Sequence, residues 1–446
     1  MTLKQLYKRV ISQNMRNRIA GLPWMDRWRQ RQLLAEGRRL AATDKAARKP
    51  DGKICVTFIV QRPALWPNHA SIYEAMVADP AFETSVLAIP KRPPAASEVD
   101  LNEFQRLKIF LQDKGIPFRS GYDCENHFWH NPLSFGLPDL VFLPQPYTFT
   151  QSWLWHGGYL KNFCDLAILN YGVTIADMPY MQYDLPIYGD CRFIFVESEA
   201  HKALFTARRP DLENRLFVTG HPKLDFYGKK TTADLNLLKC PRAKHRIIWA
   251  PHFTVTNDRT PHTFANFFEY YDFFVNMACK YSDIEFILRP HPDLFEHMIA
   301  VGLKTRSEAD AYRDRFNSLP NGQVYEGGDI FPLFALSSAL ILDSIGFLAE
   351  YAPTGKPICF LDSKRRQRLN PIGEKLLQTY YIAWNKEDIE GFVHGVVIKG
   401  CDPRREERLA AVHHYLFMPQ QGAGDLISQT VKNHYNDIFK RLKRRI

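Results

Sequence analysis

Two periods of hydrophobic spacing alternate along most of the chain. Short runs rich in β-branched and aromatic residues, such as ICVTFIV (54–60), TSVLAIP (84–90) and PDLVFLP (138–144), read as strands buried on both faces. Between them, residues 71–78 and LNEFQRLKIFLQDKGI (101–116) carry apolar positions at helical spacing, the second ending at a glycine stop. CRFIFVES (191–198) and RLFVTGHP (215–222) extend the series, and residues 223–244, polar and broken, read as a linker. The alternation then restarts. Strands are predicted at HRIIWAP (245–251), IEFILRP (284–290), GQVYEG (322–327), SALILDS (338–344) and KPICFLD (356–362), with helices at 264–280 and 346–355. Strand–helix alternation predicts parallel sheets with helices on both faces. The expected fold is therefore α/β: two doubly wound, Rossmann-like domains, 51–225 and 245–400, facing a cleft. Residues 401–446 are expected to add C-terminal helices.

The first fifty residues break this pattern and carry the charge. The chain has 446 residues, too many for one core, and its 45% hydrophobic and 13% aromatic content is that of a globular protein. Residues 1–50 hold thirteen Lys and Arg against three acids, an excess that equals the net charge of +10 of the whole chain. Leu3, Leu6, Tyr7, Val10 and Ile11 recur at helical spacing among the basic side chains, and Leu22, Trp24, Met25 and Trp28 follow. That mixture predicts a basic amphipathic helical segment lying on an anionic membrane surface, and the tail FKRLKRRI (439–446) repeats it. A helix packed on its own protein is the competing reading. No nucleic-acid module accompanies the charge, so nucleic acid is not an expected partner. No apolar run approaches the roughly 18 residues of a spanning helix, and no secretory signal is evident at the N-terminus. The eight cysteines include no CxxC pair and read as buried thiols rather than a zinc site.

The chemistry-bearing residues cluster at strand ends. ILRPHP places Arg289 and His291 just past a strand, each beside a proline that fixes the backbone. Arginine offers a planar fork suited to phosphate; histidine donates to phosphate oxygens or moves protons near neutral pH. WAPHFT puts His252 at the end of the preceding strand. Parallel neighbours lie roughly 5 Å apart, so both histidines can address one ligand if the two strands pair. In ILDSIGFLAEYAPTG, Asp343 and Ser344 occupy a strand-to-helix turn that suits an anion, and Glu350 on the helix is placed to reach a ribose hydroxyl. A plain helix cap by Asp343 or Ser344 is the alternative. VTGHPKLD sets His221 and Lys223 at the edge of the cleft, and WHGG (155–158) sets His156 beside two glycines, as a base for an acceptor or as an ordinary loop histidine. GxGxxG, GxxxxGK[ST], GxSxG, HExxH and aspartate-rich metal motifs are all missing, which argues against dinucleotide, P-loop, serine-hydrolase and zinc-hydrolase chemistry.

VTGHPKLD, IIWAPHFT, ILRPHP and ILDSIGFLAEYAPTGKPICFLD, taken together over about 190–365, resemble the CDP-glycerol glycerophosphotransferase family, the teichoic-acid primases and polymerases. The resemblance implies a GT-B fold and a membrane-associated transferase at the cytoplasmic face of the bacterial inner membrane. Such an enzyme moves glycerol phosphate, or a related polyol phosphate, from a CDP-linked donor to a polymer or lipid-linked acceptor, with no cofactor required. It also implies that phosphate-binding and catalytic positions fall on His252, Arg289, His291 and Ser344. The histidine of the family's HGT turn is taken as a base; its counterparts here are WHGG at His156 and NYGV at 170–173, and Ser344 is followed by Ile345 where a second serine is common. Two other readings keep the same fold: a glycosyltransferase using a nucleotide sugar for capsule or lipopolysaccharide, and a non-catalytic scaffold docked on a membrane.

Overall fold

The computed structural model describes residues 31–39, 52–91, 99–147, 150–228, 234–255, 265–327, 329–363 and 368–443. The first unit is a seven-stranded parallel sheet in the order β3-β2-β1-β6-β7-β8-β9. Its strands are β1 (Ile54–Val60), β2 (Phe82–Ala88), β3 (Phe118–Ser120), β6 (Leu140–Phe142), β7 (Asp165–Leu169), β8 (Phe193–Val196) and β9 (Leu216–Val218). A small hairpin, β4 (Tyr122–Asp123) with β5 (Phe128–Trp129), stands apart. The second unit is a six-stranded parallel sheet, β12-β11-β10-β13-β14-β15. Here β10 is His245–Ala250, β11 Ile284–Leu288, β12 Gly322–Val324, β13 Ala339–Leu342, β14 Ile358–Leu361 and β15 Tyr381–Ala383. Every strand predicted from the apolar runs is present. β3, β7 and β15, which the sequence reading did not assign, complete the sheets.

Period-two packing explains why these runs form two-sided strands. In β10, Ile247 and Trp249 enter one buried layer and Ile248 and Ala250 the other. In β1, Val56, Phe58 and Val60 face one layer and Ile59 the opposite one. Trp249 is stacked on Phe274 at 4.1 Å and on Phe267 at 5.5 Å between ring centres, which fixes the helix Phe267–Lys280 against its sheet. Each fully buried side chain of this size stabilises by roughly 2–3 kcal/mol relative to leaving it exposed.

The connecting segments are docked rather than loose. Glu285, wholly buried on β11, accepts from the backbone N–H groups of Lys239 and Cys240 at 2.8 and 2.9 Å, so the later part of the predicted linker is tied to the second sheet. The C-terminal helix Ala423–Lys443 crosses back to the first unit. Ile427, Val431 and Tyr435 enter that unit's core, and the Asp225 carboxylate accepts from the N–H groups of Ala423 and Gly424 at its start. Of the basic N-terminal segment, 31–39 is helical and rests on the first unit through Leu33 and Leu34, with Arg38 donating to Asn162 Oδ1. The remaining residues of that segment, and 444–446 of the basic tail, lie outside the described residues. Among the described residues no helix is long and apolar enough to cross a membrane.

Candidate functional site

The two sheets present their strand C-terminal ends to a common cavity of about 820 Å³. That volume suits a nucleotide-sized ligand. Open α/β sheets bind ligands at this edge because loops there are free to vary and helix starts point their N–H groups inward. The wall from the second unit includes His252, Arg289, His291, Asp329, Ser344 and Glu350. The first unit contributes Arg62, Trp66, Tyr73, Tyr171, Lys223 and others.

Strand pairing brings the two cleft histidines together. β10 and β11 are neighbours, with Trp249 opposite Leu288, so the loops leaving them run side by side. His291 N–H donates to Pro251 O at 3.0 Å, and the imidazoles of His252 and His291 lie 5.1 Å apart. Phe253 packs on both rings, at 4.5 and 4.6 Å. The Asp293 N–H donates to His291 Nδ1 at 3.1 Å, which makes Nδ1 the unprotonated nitrogen. Burial first, and then the charges of Arg62, Arg289 and Lys91, push the His291 pKa down to about 3, although 29% of its side chain stays exposed to the cavity. His291 is therefore a neutral imidazole whose Nε2–H is a donor, the form that hydrogen-bonds a phosphate oxygen without taking its proton. His252 Nδ1 lies 3.0 Å from the Thr254 hydroxyl.

Arg289 is buried, and burial lowers its pKa. Its Nη1 donates to Pro290 O at 2.9 Å, its guanidinium sits 5.9 Å from the Tyr325 ring centre, and its Nε, shielded from solvent, has no partner. A buried guanidinium with an unfilled donor is costly by itself and is satisfied by an anion.

Asp343 does not face the cavity. Its two carboxylate oxygens accept from the backbone N–H groups of His252 at 2.7 Å and Asn266 at 2.6 Å. Complete burial holds its pKa up to about 7, against the lowering effect of those N–H groups. Its part in the site is to hold the backbone that presents His252. The helix Gly346–Tyr351 starts at Ile345 with no side-chain cap, so neither Asp343 nor Ser344 serves as one, and Ser344 remains in the cavity wall.

Glu350 meets the first unit. Its Oε1 is 2.8 Å from Lys223 Nζ, with both side chains largely buried, and Tyr227 donates its hydroxyl to Glu350 O. A Cβ at Gly172 would stand 2.9 Å from Glu350 Oε1. A second junction lies nearby: Asn370 donates its side-chain amide to Thr174 O at 2.8 Å and its N–H to Ile175 O at 2.8 Å.

The remaining sequence candidates fall elsewhere. His221 is buried; its Nε2 bonds the Asn170 carbonyl at 3.0 Å and its Nδ1 accepts from Lys223 N–H at 3.2 Å. Burial pushes its pKa down to about 4, so it is a neutral histidine that shapes the turn and is not part of the cavity wall. His156 is also outside that wall. It caps the short helical turn Gly157–Leu160, with Nδ1 accepting from Gly158 N–H at 3.0 Å. Of the two HGT-like segments, the one at the cavity is NYGV, where Tyr171 follows β7 and lines the wall. Arg62 was missed in the sequence, and Tyr171 entered only as part of NYGV. The Arg-Pro pair after β1, which repeats the one after β11, was the available signal for Arg62. Among the described residues no group of three or more His, Cys, Asp or Glu is placed to hold a metal ion.

Paired parallel α/β units sharing a cavity at their strand ends define a GT-B-like fold. More particularly, the chain belongs to the CDP-Glycerol:Poly(glycerophosphate) glycerophosphotransferase family, whose model matches residues 143–365, half of its length. It is a transferase of the CDP-glycerol glycerophosphotransferase type. No curated protein matches it. Several solved structures share the fold. A variant of the wall teichoic acid polymerase TagF soaked with CDPG is 13% identical, with a TM-score of 0.54, over 93% of this chain and 98% of that one. The S. aureus MnaA–UDP structure is 13% identical, with a TM-score of 0.56, over 86% and 97%. UDP-GlcNAc 2-epimerase from Neisseria meningitidis bound to UDP-GlcNAc is 14% identical, with a TM-score of 0.53, over 85% and 99%.

Proposed function

We propose that this chain transfers glycerol phosphate, or a related polyol phosphate, from a CDP-linked donor to a hydroxyl on a cell-surface polymer acceptor. The acceptor oxygen forms a bond to the donor's terminal phosphorus. The bond from that phosphorus to the bridging oxygen breaks, CMP departs with the electron pair, and the hydroxyl proton is released. Arg289, the Nε2–H of His291 and Ser344 hold the diphosphate and the charge that develops on the leaving phosphate. His252, in the same wall and 5.1 Å from His291, is the imidazole placed to accept the proton. Phosphoryl transfer depends mainly on positioning and charge stabilisation, which fixed donors of this kind supply. The single observation that carries the reading is the meeting of His252 and His291 beside a buried, partner-seeking Arg289 in a cavity shared by both units. The basic residues of 1–50 support a peripheral seat on the inner face of the membrane.

The test is nucleotide release from a panel of CDP-polyols and nucleotide sugars. CMP from CDP-glycerol or a relative is expected. UDP from a UDP-sugar with no CMP from any CDP-polyol would replace this reading with glycosyl transfer.

A further inference from the structure

The two sheets end central strands in the same way. β11 leads into Arg289-Pro290, and β1 leads through Gln61 into Arg62-Pro63. A residue before proline is confined to extended backbone, and Arg62 is at φ −160°, ψ 156°, so its side chain leaves the sheet edge in a set direction. Both arginines line the one cavity, from opposite units. In each, Nε is shielded from solvent and has no hydrogen-bond partner. Among the described residues Arg62 forms no ion pair, although Glu103 lies within its field. Its own field is felt across the cleft: after burial, Arg62 is the strongest influence on His291, ahead of Arg289 itself. The other first-unit cation deep in the wall, Lys223, is already paired with Glu350. Arg62 is thus a cation held beside His291 with donors left to fill.

We propose that Arg62 is a second phosphate-binding arginine, gripping the nucleoside diphosphate of the donor from the first unit while Arg289 grips it from the second. This rests on the donor reading above and extends it to the side of the cleft that the family-like motifs of the second unit do not reach. The phosphate that benefits is the terminal one, which lies toward the acceptor side and changes partners in the reaction. A guanidinium fork on each side of it fixes its orientation and spreads the charge that builds up as the bridging oxygen departs. A further consequence is that the diphosphate, and not the nucleoside, is what joins the two units.

Calorimetric titration of the full chain with CDP and with CMP tests this, because the two ligands differ by the terminal phosphate. The wild type is expected to prefer CDP. In Arg62→Gln that preference should fall roughly tenfold to a hundredfold, the range for a charge-assisted contact, with CMP affinity and thermal midpoint unchanged. Arg62→Lys, which keeps the charge and loses the fork, should fall between them. Arg289→Gln serves as the matched control. An Arg62→Gln protein that keeps the wild-type CDP preference, or that loses CDP and CMP equally, overturns the proposal. A wild type that binds neither nucleotide overturns the donor reading itself, and this inference with it.

Discussion

Asp343→Asn is the sharpest probe of how the site is held. The side chain is buried and both of its oxygens accept short hydrogen bonds, from His252 N–H at 2.7 Å and Asn266 N–H at 2.6 Å. An asparagine has one acceptor oxygen, so its NH₂ must face one of those N–H groups. A buried donor left unmet costs about 1–3 kcal/mol. That loss carries a pH signature. The pKa of Asp343 is held up to about 7, so the folded state binds its proton more tightly than the unfolded chain, where the ordinary value is 3.8. The stability from the protonated form is therefore fully present below pH 3.8 and is lost as pH rises through 7. Between pH 5 and pH 8 this one group should remove roughly 3 kcal/mol from the wild type and nothing from the asparagine variant. Urea denaturation of both proteins across that range reads the difference. The variant should be clearly less stable at pH 5, and the gap should close or reverse by pH 8. Because Asp343 holds the backbone of His252, kcat should fall more than the donor KM rises. A stability gap that is flat with pH would refute the assignment of Asp343 as a buried, proton-holding clasp.

Other perturbations test separate parts of the site. His291→Ala should lower kcat by roughly 10²–10³, as for loss of one preorganised donor, and the acid limb of the wild-type pH profile should not arise from a group that stays neutral down to about pH 3. Lys223→Met or Glu350→Gln alone should each cost about 3–5 kcal/mol by stranding a buried charge, whereas the double variant should cost less than their sum in a urea-based cycle. Under the proposed membrane seat, deleting residues 1–50 should release the protein into the soluble fraction, most visibly at low salt, where the electrostatic attraction is largest; a truncated form that stays bound would place the membrane surface elsewhere.

Much of the fold was legible because parallel strands buried on both faces write themselves as continuous apolar runs. β1, β10, β11 and β13 are all of this kind. What escaped was short or bracketed by misleading neighbours. β3 has three residues, with Arg119 pointing outward, and β15 is a three-residue edge strand. β7 is DLAIL, flanked by Cys164 and Asn170 with no strong turn signal, so NYGV could not be placed at a strand end from the sequence. Within the site, residues locked by proline at strand ends were readable: His252, Arg289 and His291 meet in the cavity. His156 and His221 were not separable from them by sequence. Each sits next to glycine, and only the hydrogen bonds to Gly158 and to Asn170 and Lys223 reveal a cap and a turn brace. Asp343 was placed at the right corner with the wrong direction, since a carboxylate before a helix resembles a ligand-facing group until its two backbone partners are known.

The way the units are joined bears on how the cleft can work. The second unit carries the histidines and Arg289, yet three tethers cross from it to the first: Lys223 with Glu350, Asn370 with Thr174 and Ile175, and the C-terminal helix packed into the first unit's core. Lys223 and Glu350 lie in the cavity wall, and Val173, Ile175 and Leu224 of the first unit pack into the second unit's core beside these polar contacts. Glu350 is the pivotal group, because it touches the opposite unit and also lines the cavity. The Glu350 carboxylate keeps acceptor sites beyond the one that Lys223 takes on Oε1, so a ligand hydroxyl donating to it would share that carboxylate with Lys223. A Cβ at Gly172 would stand 2.9 Å from the Oε1 of that carboxylate, the end of a side chain that would have to shift and disturb its pairing with Lys223.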